Sequence, residues 1–294
     1  MPRDPNLFRV TLLGTGAPPP VLDRFGPSTL VETGNQKFIF DAGRGAMQRL
    51  HQLGIPFADI TGMFLTHHHS DHVVGFPDLW LTGWIGRPWG RRNVPLPVWG
   101  PKGTKQMMEH LPLAFAVDIR VRSHNYPLDG VKLLPVEITE GVVFDRDGVK
   151  VTAFEVDHFA EQLPAYGYRI DYAGRSAALS GDTTFNENLI AHAQGTDLLV
   201  HEVTAASGSA AESAAQLKRI SANHTTPEQA GEVFTRVKPR LAVYNHLLLF
   251  GGARAEDLIP ATRKKYSGPL AVGQDLLQID IGESVEARQF REEK

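Results

Sequence analysis

Short apolar runs that end in a polar residue recur along this chain. The clearest span residues 63–66, 149–156, 176–179, 197–200 and 241–244. Each has the length of a buried strand and is too short for an independent helix. If these strands share one sheet and point the same way, the residues that follow them lie together at one edge. The hydrophobic pattern therefore predicts a sheet edge built from five separate parts of the chain.

The rest of the pattern predicts alternating strands and helices. We expect a strand at 7–14, a hairpin of 28–32 and 37–40, a helix at 45–54, a strand at 96–100 and a helix at 104–113. Alternating apolar and polar positions with glycine turns predict a β-rich region at 117–150. Gly14-Thr15-Gly16 after the first strand resembles a dinucleotide-binding turn, but Pro18-Pro19-Pro20 prevents the helix that such a turn requires.

Composition narrows the protein class. A chain of 294 residues with 42% hydrophobic and 21% charged positions is typical of a globular α/β protein, and we expect one domain over 1–294. The net charge of -3 argues against broad electrostatic capture of nucleic acid. Cysteine is absent, so any metal must be held by His, Asp or Glu.

The stretch Phe64 to His72, FLTHHHSDH, is the strongest chemical signal. His67 and His69 are two residues apart, so in an extended segment their imidazoles face the same side. Asp71 and His72 follow a turn and are placed to hold a second ion. A solvated loop is the alternative for a single histidine, but four histidines and an aspartate after a buried strand favour a metal site.

The other strand ends supply the rest of a ligand set. His158, Asp182, Glu202 and His246 each follow one of the later strands. We predict that His67, His69 and His158 hold one ion, that Asp71, His72 and His246 hold another, and that Asp182 bridges them. Three histidines leave a tetrahedral ion one open position, as in catalytic zinc sites. Two ions about 3.5 to 4 Å apart share a hydroxide and clamp the attacking and leaving oxygens, which is hydrolytic chemistry.

These motifs resemble the metallo-β-lactamase superfamily, and within it the ribonuclease Z-like and arylsulfatase-like branch. The resemblance covers nearly the whole chain. It rests on Leu13-Gly14-Thr15-Gly16, Phe40-Asp41-Ala42-Gly43, the Thr66 to His72 signature, Gly167-Tyr168-Arg169-Ile170, Ser180-Gly181-Asp182-Thr183, His201-Glu202-Val203-Thr204 and Asn245-His246.

The resemblance implies an αββα four-layer sandwich with the metals at one sheet edge. It implies two Zn²⁺ ions, with Mn²⁺ or Fe as other occupants, and a homodimer. It also implies that Glu202 and His224 act together on the leaving group, and that Asp71 serves as both ligand and proton acceptor. The alternative for His224 is a cap on the helix that begins near Pro227. The other histidines, including His68 and His201, are assigned to packing or surface positions.

Two departures from the ribonuclease pattern direct our expectation of substrate. Residues 171–175 form a tight connection where ribonuclease Z carries a long tRNA-gripping arm, and residues 247–252 (LLLFGG) are apolar where the ribonucleases are polar. We therefore expect a small-molecule ester as the partner, with nucleic acid disfavoured. Trp84, Trp89 and Phe250 are candidate substrate-pocket residues, and the segment 205–221 is a candidate lid or a surface helix.

The sequence thus predicts a binuclear metal-dependent hydrolase of a small phosphodiester or sulfate ester. The alternatives are a tRNA 3′-end endonuclease and a lactone or carboxyl-ester hydrolase; a non-catalytic metal-bound scaffold and a mononuclear iron oxygenase are further ones. The amino-terminal decapeptide MPRDPNLFRV lacks the apolar core of a signal peptide, which favours a cytoplasmic location. A periplasmic or secreted location is the alternative if a signal peptide has been removed.

Overall fold

The computed structural model describes residues 4–86, 90–159, 162–207, 214–215 and 218–291. Within these ranges two β-sheets face each other, and helices cover the outer face of each sheet. This is the αββα sandwich that the resemblance implied. No helix among the described residues has the length and apolar character needed to cross a membrane.

The first sheet has eight strands in the described ranges, in the order β15-β14-β1-β2-β3-β4-β5-β6. Its strands are β1 Phe8–Gly14, β2 Ser28–Thr33, β3 Gln36–Phe40, β4 Gly62–Phe64, β5 Leu96–Gly100, β6 Leu133–Glu137, β14 Leu277–Ile281 and β15 Val285–Gln289. Strands β3, β4, β5 and β6 run parallel, so their carboxyl ends lie at one edge.

The second sheet has seven strands in the described ranges, in the order β13-β12-β11-β10-β9-β8-β7. Its strands are β7 Gly141–Arg146, β8 Val149–Val156, β9 Ala165–Tyr172, β10 Arg175–Leu179, β11 Leu198–Ala206, β12 Leu241–Phe250 and β13 Leu270–Val272. Strands β10, β11 and β12 are parallel. Because β9 is antiparallel to both β8 and β10, β8 points the same way as β10. The carboxyl ends of these four strands therefore share one edge. The fifth strand of the predicted set, β4, belongs to the first sheet, so the expectation of a single sheet edge is wrong and the five strand ends are divided between two facing sheets.

The described helices divide between the two outer faces. Helices α1 Ala46–Gln52, α2 Ser70–Val73, α3 Phe76–Trp84, α4 Thr104–Ala114 and α5 Ala116–Arg122 belong to the amino-terminal half, and α6 Glu187–Ala193, α7 Pro227–Val237 and α8 Ala255–Thr262 to the carboxyl-terminal half. Short 3-10 helices occupy Phe57–Asp59 and Leu128–Val131.

Alternate side chains of the strands build three separate cores. In β10, Ala177 and Leu179 face the core between the sheets, whereas Ala178 faces the core under the carboxyl-terminal helices. Strand β2 repeats the pattern, because Val31 points between the sheets and Leu30 points towards the amino-terminal helices. A strand with both faces buried must be apolar throughout, which explains the continuous hydrophobic runs.

One expected strand region is wrong. Residues 117–150 contain β6 and β7, but the segment 116–122 forms helix α5. Val117, Ile119 and Val121 alternate as in a strand, yet only Ile119 packs against the core, while Val117 and Val121 are exposed. An ion pair of 2.7 Å between Arg122 and Asp118, one helical turn apart, supports the helix instead.

Candidate metal centre

Three histidines that follow the carboxyl ends of β4 and β8 converge. Nδ1 of His69 lies 3.1 Å from Nε2 of His67 and 3.0 Å from Nε2 of His158. With Zn–N bonds of about 2.0 to 2.1 Å, two ligand nitrogens of a tetrahedral ion are about 3.3 Å apart. The measured separations are close to that value. His67, His69 and His158 therefore offer the geometry of a three-nitrogen cation site.

A second donor group lies beside the first. Nε2 of His246 is 3.3 Å from Oδ2 of Asp71, and Nε2 of His72 is 3.7 Å from the same oxygen. All three side chains are buried, with at most 5% of each residue exposed. The structure thus brings together Asp71, His72 and His246, the three residues that the sequence assigned to a second ion.

Asp182 stands between the two groups. Its Oδ2 lies 3.2 Å from Nε2 of His246 and 3.4 Å from Nε2 of His72. The same oxygen lies 3.9 Å from Nε2 of His67 and 3.8 Å from Nε2 of His158. One carboxylate oxygen therefore faces both groups, which is the position required of a bridging ligand. Bridging itself stays a prediction.

Unpaired polar atoms indicate that these residues fit a cation. Among the described side chains, Nε2 of His72, Nδ1 of His246 and Oδ1 of Asp182 are buried and have no hydrogen-bond partner. Burying such atoms unpaired costs about 1 to 3 kcal/mol each. A divalent ion would satisfy several of these donors at once, and the imidazole and carboxylate donor set suits Zn²⁺, Mn²⁺ or Fe.

The electrostatics of the cluster also favour a cation. Burial lowers the pKa of His158 to about 4 and, with neighbouring His72, lowers the pKa of His67 well below its usual value, so both imidazoles are neutral and can act as ligands. Burial alone would raise the pKa of Asp182, but His246 and His72 hold it well below its ordinary value. His67, His158 and Asp182 thus have the charge state that metal binding requires. His72 differs, because Asp182 and Asp41 outweigh burial and raise its pKa well above the usual value, so it must release a proton to become a ligand.

Asp41 fixes the orientation of His72, a role that sequence reasoning missed. Nδ1–H of His72 donates to Oδ2 of Asp41 at 2.8 Å, and the hydroxyl of Thr66 donates to the same oxygen at 2.7 Å. The backbone N–H of Thr66 donates to Oδ1 of Asp41 at 2.8 Å. This leaves Nε2 of His72 directed towards Asp182. The sequence signal was the polar residue Asp41 at the end of a buried strand, as at the other ligand-bearing strands.

A backbone irregularity aims His246 into the site. Strands β11 and β12 pair Glu202 with Asn245 and Val203 with Leu247, so His246 is an extra residue in the ladder. It adopts a left-handed conformation with φ of 44°, which is unusual for a residue other than glycine. Such bulges redirect a side chain next to an active site.

Glu202 and His224 form a charged pair beside the ligands. Oε1 of Glu202 lies 3.4 Å from Nδ1 of His224, an ion-pair distance rather than a well-aligned hydrogen bond. The N–H of Thr225 donates to the same oxygen at 2.9 Å. Burial opposes the charged form of His224, but Glu202 outweighs it and raises the pKa of His224 to about 9. The ring of His224 lies 4.8 Å from that of His158, so a protonated imidazole adjoins the candidate metal ligands.

Helix α7 is capped by Thr226 and not by His224. The cap of that helix is Thr226, which accepts from the N–H of Gln229 and forms a capping box with it. His224 is therefore not the cap, which removes the alternative that the sequence left open.

His68 also lies apart from the candidate ligands, since its Nε2 contacts Oγ1 of Thr104 at 3.0 Å.

The predicted substrate-pocket residues were Trp84, Trp89 and Phe250, and the structure contradicts the first. Trp84 is fully buried in the core under the amino-terminal helices, and its indole N–H donates to the carbonyl of Pro127 at 2.7 Å. It cannot contact a substrate, so this prediction is wrong. Trp89 lies outside the described residues. Phe250 ends β12 opposite Ala206 and is half-buried, and its role stays a prediction.

The lid prediction falls partly on residues that are not described. Strand β11 extends to Ala206, so the predicted segment begins inside a strand. Residues 208–213 and 216–217 lie outside the described ranges, and with them the centre of the predicted lid.

Known proteins resemble this chain in sequence and in fold. Residues 36–247 match the sequence profile of a beta-lactamase superfamily domain. A ribonuclease Z of Mycolicibacterium gilvum is 34% identical over 285 residues, which are 96% of this chain and 99% of that protein. The metallo-beta-lactamase fold protein YhfI of Bacillus subtilis covers 94% of this chain and 100% of its own, with a TM-score of 0.74 at 16% identity. The short form of human tRNase Z covers 93% and 99%, with a TM-score of 0.68 at 21% identity.

The ribonuclease Z relatives overturn the expected partner. Sequence features favoured a small-molecule ester and disfavoured nucleic acid, but the curated relatives are named for cleavage of RNA. The missing arm does not separate this chain from them, because the 285 matched residues are nearly the full length of both proteins. The short connection at 171–175 and the net negative charge are therefore poor guides to the substrate.

Proposed function

We propose that this chain, which belongs to the metallo-β-lactamase superfamily and is a metal-dependent hydrolase of ester bonds, cleaves the phosphodiester at the 3′ end of precursor tRNA. The observation that carries the proposal is the Glu202–His224 pair, whose protonated imidazole lies 4.8 Å, ring to ring, from the ligand His158. A seven-residue donor set with an adjacent proton donor suits hydrolysis with a poor leaving group, such as a ribose oxygen. The curated relatives supply the substrate class.

We infer two resident ions, with zinc as the first candidate and Mn²⁺ or Fe as others. His67, His69 and His158 would hold one, and Asp71, His72 and His246 the other, with Asp182 facing both. When bound, such ions supply Lewis-acid activation of water and of the phosphoryl group. All of these donors except the half-buried His69 are buried, which strengthens the electrostatic contacts between them.

His224 is the proposed proton donor. With its Nδ1 directed at Glu202, its Nε2 holds the proton that the departing oxygen needs. A pKa of about 9 keeps this proton in place at neutral pH, so a histidine that would otherwise be mostly neutral is available as a general acid. Glu202 is itself held by the N–H groups of Thr225 and Thr183 at 2.9 and 3.3 Å, and it fixes the tautomer of His224.

Asp71 is the second residue with a proposed proton role. Burial opposes the ionised form, but the hydrogen bond from His246 and the charge of His72 outweigh it and lower the pKa of Asp71 below its usual value. The carboxylate is therefore ionised at neutral pH and is available both as a ligand and as an acceptor for a proton released from water.

The direct test is cleavage of a precursor tRNA that carries a 3′ trailer. The protein is treated with a chelator, dialysed and assayed with and without added Zn²⁺ or Mn²⁺, and the new ends are mapped. We expect metal-dependent cleavage at one position, about 100-fold or more slower in H224A, the usual scale for general acid catalysis. The matched control is H110A, because His110 lies exposed on α4 and its Nδ1 contacts the carbonyl of Gln106 in the same helix. Metal-loaded protein that leaves every precursor tRNA intact while hydrolysing bis(p-nitrophenyl) phosphate would contradict the proposal.

A further inference from the structure

A cavity of about 450 Å³ opens beside the first ligand group and plays no part in the mechanism above. Asp157, Phe159, Gln162, Thr184 and Asn223 line it together with His158. Because a proposed metal ligand forms part of its wall, whatever occupies this cavity lies next to the reacting phosphodiester. Its volume is within the range of small-molecule sites.

Phe159 is the unusual residue of this wall. Its ring lies 5.1 Å from the ring of His69 and 4.8 Å from the ring of His158, with both contacts edge-on. Nevertheless, 39% of the residue is exposed to solvent. This large aromatic side chain is thus held against the buried imidazole of His158 and the half-buried imidazole of His69, while part of its own ring stays open to the cavity.

The other described lining groups are suited to a nucleobase rather than to phosphate. They offer the carboxylate of Asp157, the amides of Gln162 and Asn223 and the hydroxyl of Thr184, and the described lining contains no Lys or Arg. A carboxylate repels phosphate, whereas carboxylate, amide and hydroxyl groups together match the donors and acceptors on the edge of a base.

The loop geometry holds this wall in place. Nδ1–H of His158 donates to the backbone carbonyl of Asn223 at 2.8 Å, and the N–H of Thr184 donates to the carbonyl of Asp157 at 2.7 Å. The N–H of Gln162 donates to the carbonyl of Phe159 at 3.2 Å. The wall is therefore tied to the ligand His158 and to the loop that carries Asp182.

We propose that this cavity, which we call the Phe159 cavity, binds an unpaired nucleobase adjoining the scissile phosphodiester, with Phe159 as the stacking surface. The proposal rests on the proposed ribonuclease activity and adds a base-binding subsite to it. Stacking on an aromatic ring tolerates any base because every base has a π-face, while the polar rim adds contacts to the base edge. Phe159 is thus a determinant of substrate position rather than a catalytic residue.

The first measurement is of binding and needs no cleavage. An oligoribonucleotide spanning the cleavage site carries 2-aminopurine at one position on either side of that site, and it is titrated with metal-loaded H224A, in which turnover is slow. We expect quenching of the fluorescence at one of the positions. The added substitution F159L should abolish the quenching, whereas F159Y should retain it, because tyrosine keeps the aromatic face.

The second measurement tests whether the effect of Phe159 on kcat/KM depends on the base. Removing the base at the quenched position should lower kcat/KM of the wild type about tenfold, equal to about 1.4 kcal/mol. F159L should already be about tenfold slower on the intact substrate and should lose nothing further on the abasic one. F159Y should follow the wild type. L113A is the matched control, since Leu113 is 71% exposed on helix α4, and it should change neither value.

The outcomes separate this proposal from the proposed function. Cleavage of precursor tRNA without any coupling between Phe159 and a base overturns the proposed base binding in the Phe159 cavity and leaves the proposed ribonuclease activity standing. Phe159-dependent quenching without cleavage overturns the proposed ribonuclease activity and supports base binding in the Phe159 cavity. Equal loss in F159L on intact and abasic substrates, with fewer metal ions per chain, assigns Phe159 a purely structural role against His69 and His158 and overturns the proposal.

Discussion

Oδ2 of Asp41 lies 2.8 Å from Nδ1 of His72, although 31 residues separate them in the chain. The same oxygen accepts from the hydroxyl of Thr66, so one buried carboxylate orients the strand end and the imidazole together. Partners behind a ligand typically contribute 10- to 100-fold to metal affinity. Asp41 thus supports the candidate metal centre without being in the predicted ligand set.

Replacing Asp41 with Asn should weaken metal binding. The amide keeps the size of the side chain, but it can accept fewer hydrogen bonds than the carboxylate and loses the charge that orients His72. We expect roughly a 10- to 100-fold loss of Zn²⁺ affinity, measured by competition with a chromophoric chelator. D129N is the control, because the exposed carboxylate of Asp129 pairs with the exposed ammonium group of Lys132. Unchanged affinity in D41N would show that His72 needs no such partner.

The titration of His224 should reflect its pairing with Glu202. In the metal-free protein, the imidazole of His224 should titrate by NMR near pH 9, and E202Q should lower that pKa to 6.5 or below, because burial then acts without the opposing carboxylate. A value near 6.5 in the wild type would contradict the role of His224 as an acid that stays protonated at neutral pH.

The same pairing should make the stability of the metal-free protein depend on pH. Because the folded-state pKa of His224 is raised, its contribution is fully present below about pH 6.5 and is lost as the pH rises through about 9. The loss is on the order of 3 kcal/mol. The pKa of His72 is also raised and changes stability in the same direction, so the informative quantity is the difference between wild type and E202Q. Denaturant unfolding at pH 6.5 and 9.5 measures it. Parallel curves for the two proteins would contradict the prediction.

Trp84 should matter for stability and not for substrate binding. It is fully buried and its indole is hydrogen-bonded, so W84A should destabilise the protein by about 3 to 5 kcal/mol. The exposed residue Val117 is the control, and V117A should fall within about 0.5 kcal/mol of the wild type. Denaturant unfolding tests both. In W84F, which keeps an aromatic ring in the core, KM should stay at the wild-type value; a selective rise in KM there would restore Trp84 to the substrate pocket.

The convergence of the candidate ligands could be predicted from the sequence because these residues follow short buried strands. His158, Asp182 and His246 each come directly after an apolar run, and parallel strands bring such residues to one edge whatever the loops between them do. Asp41 follows the same rule, but without a metal-type motif around it, nothing in the sequence distinguished it from a turn residue.

Contacts that depend on side-chain direction could not be predicted in the same way. Trp84 lies among Gly and Arg residues that suggested an open loop, yet it occupies the last turn of α3 and faces the core. Phe159 directly follows the candidate ligand His158, and only the three-dimensional wall that it forms with Gln162 and Asn223 indicates a use for its exposed ring. The substrate also could not be read from a missing insertion, because relatives of nearly the same length are ribonucleases.

Asp182 tests the central claim most directly, because its Oδ2 faces both donor groups at 3.2 to 3.9 Å. The measurement is the number of metal ions per chain in wild type and D182N by elemental analysis, taken together with cleavage of precursor tRNA by the same samples. We predict two ions per wild-type chain with metal-dependent cleavage, and fewer ions with cleavage reduced by at least 100-fold in D182N. Two ions and full cleavage in D182N, or cleavage by wild-type protein from which all metal has been removed, would contradict the account.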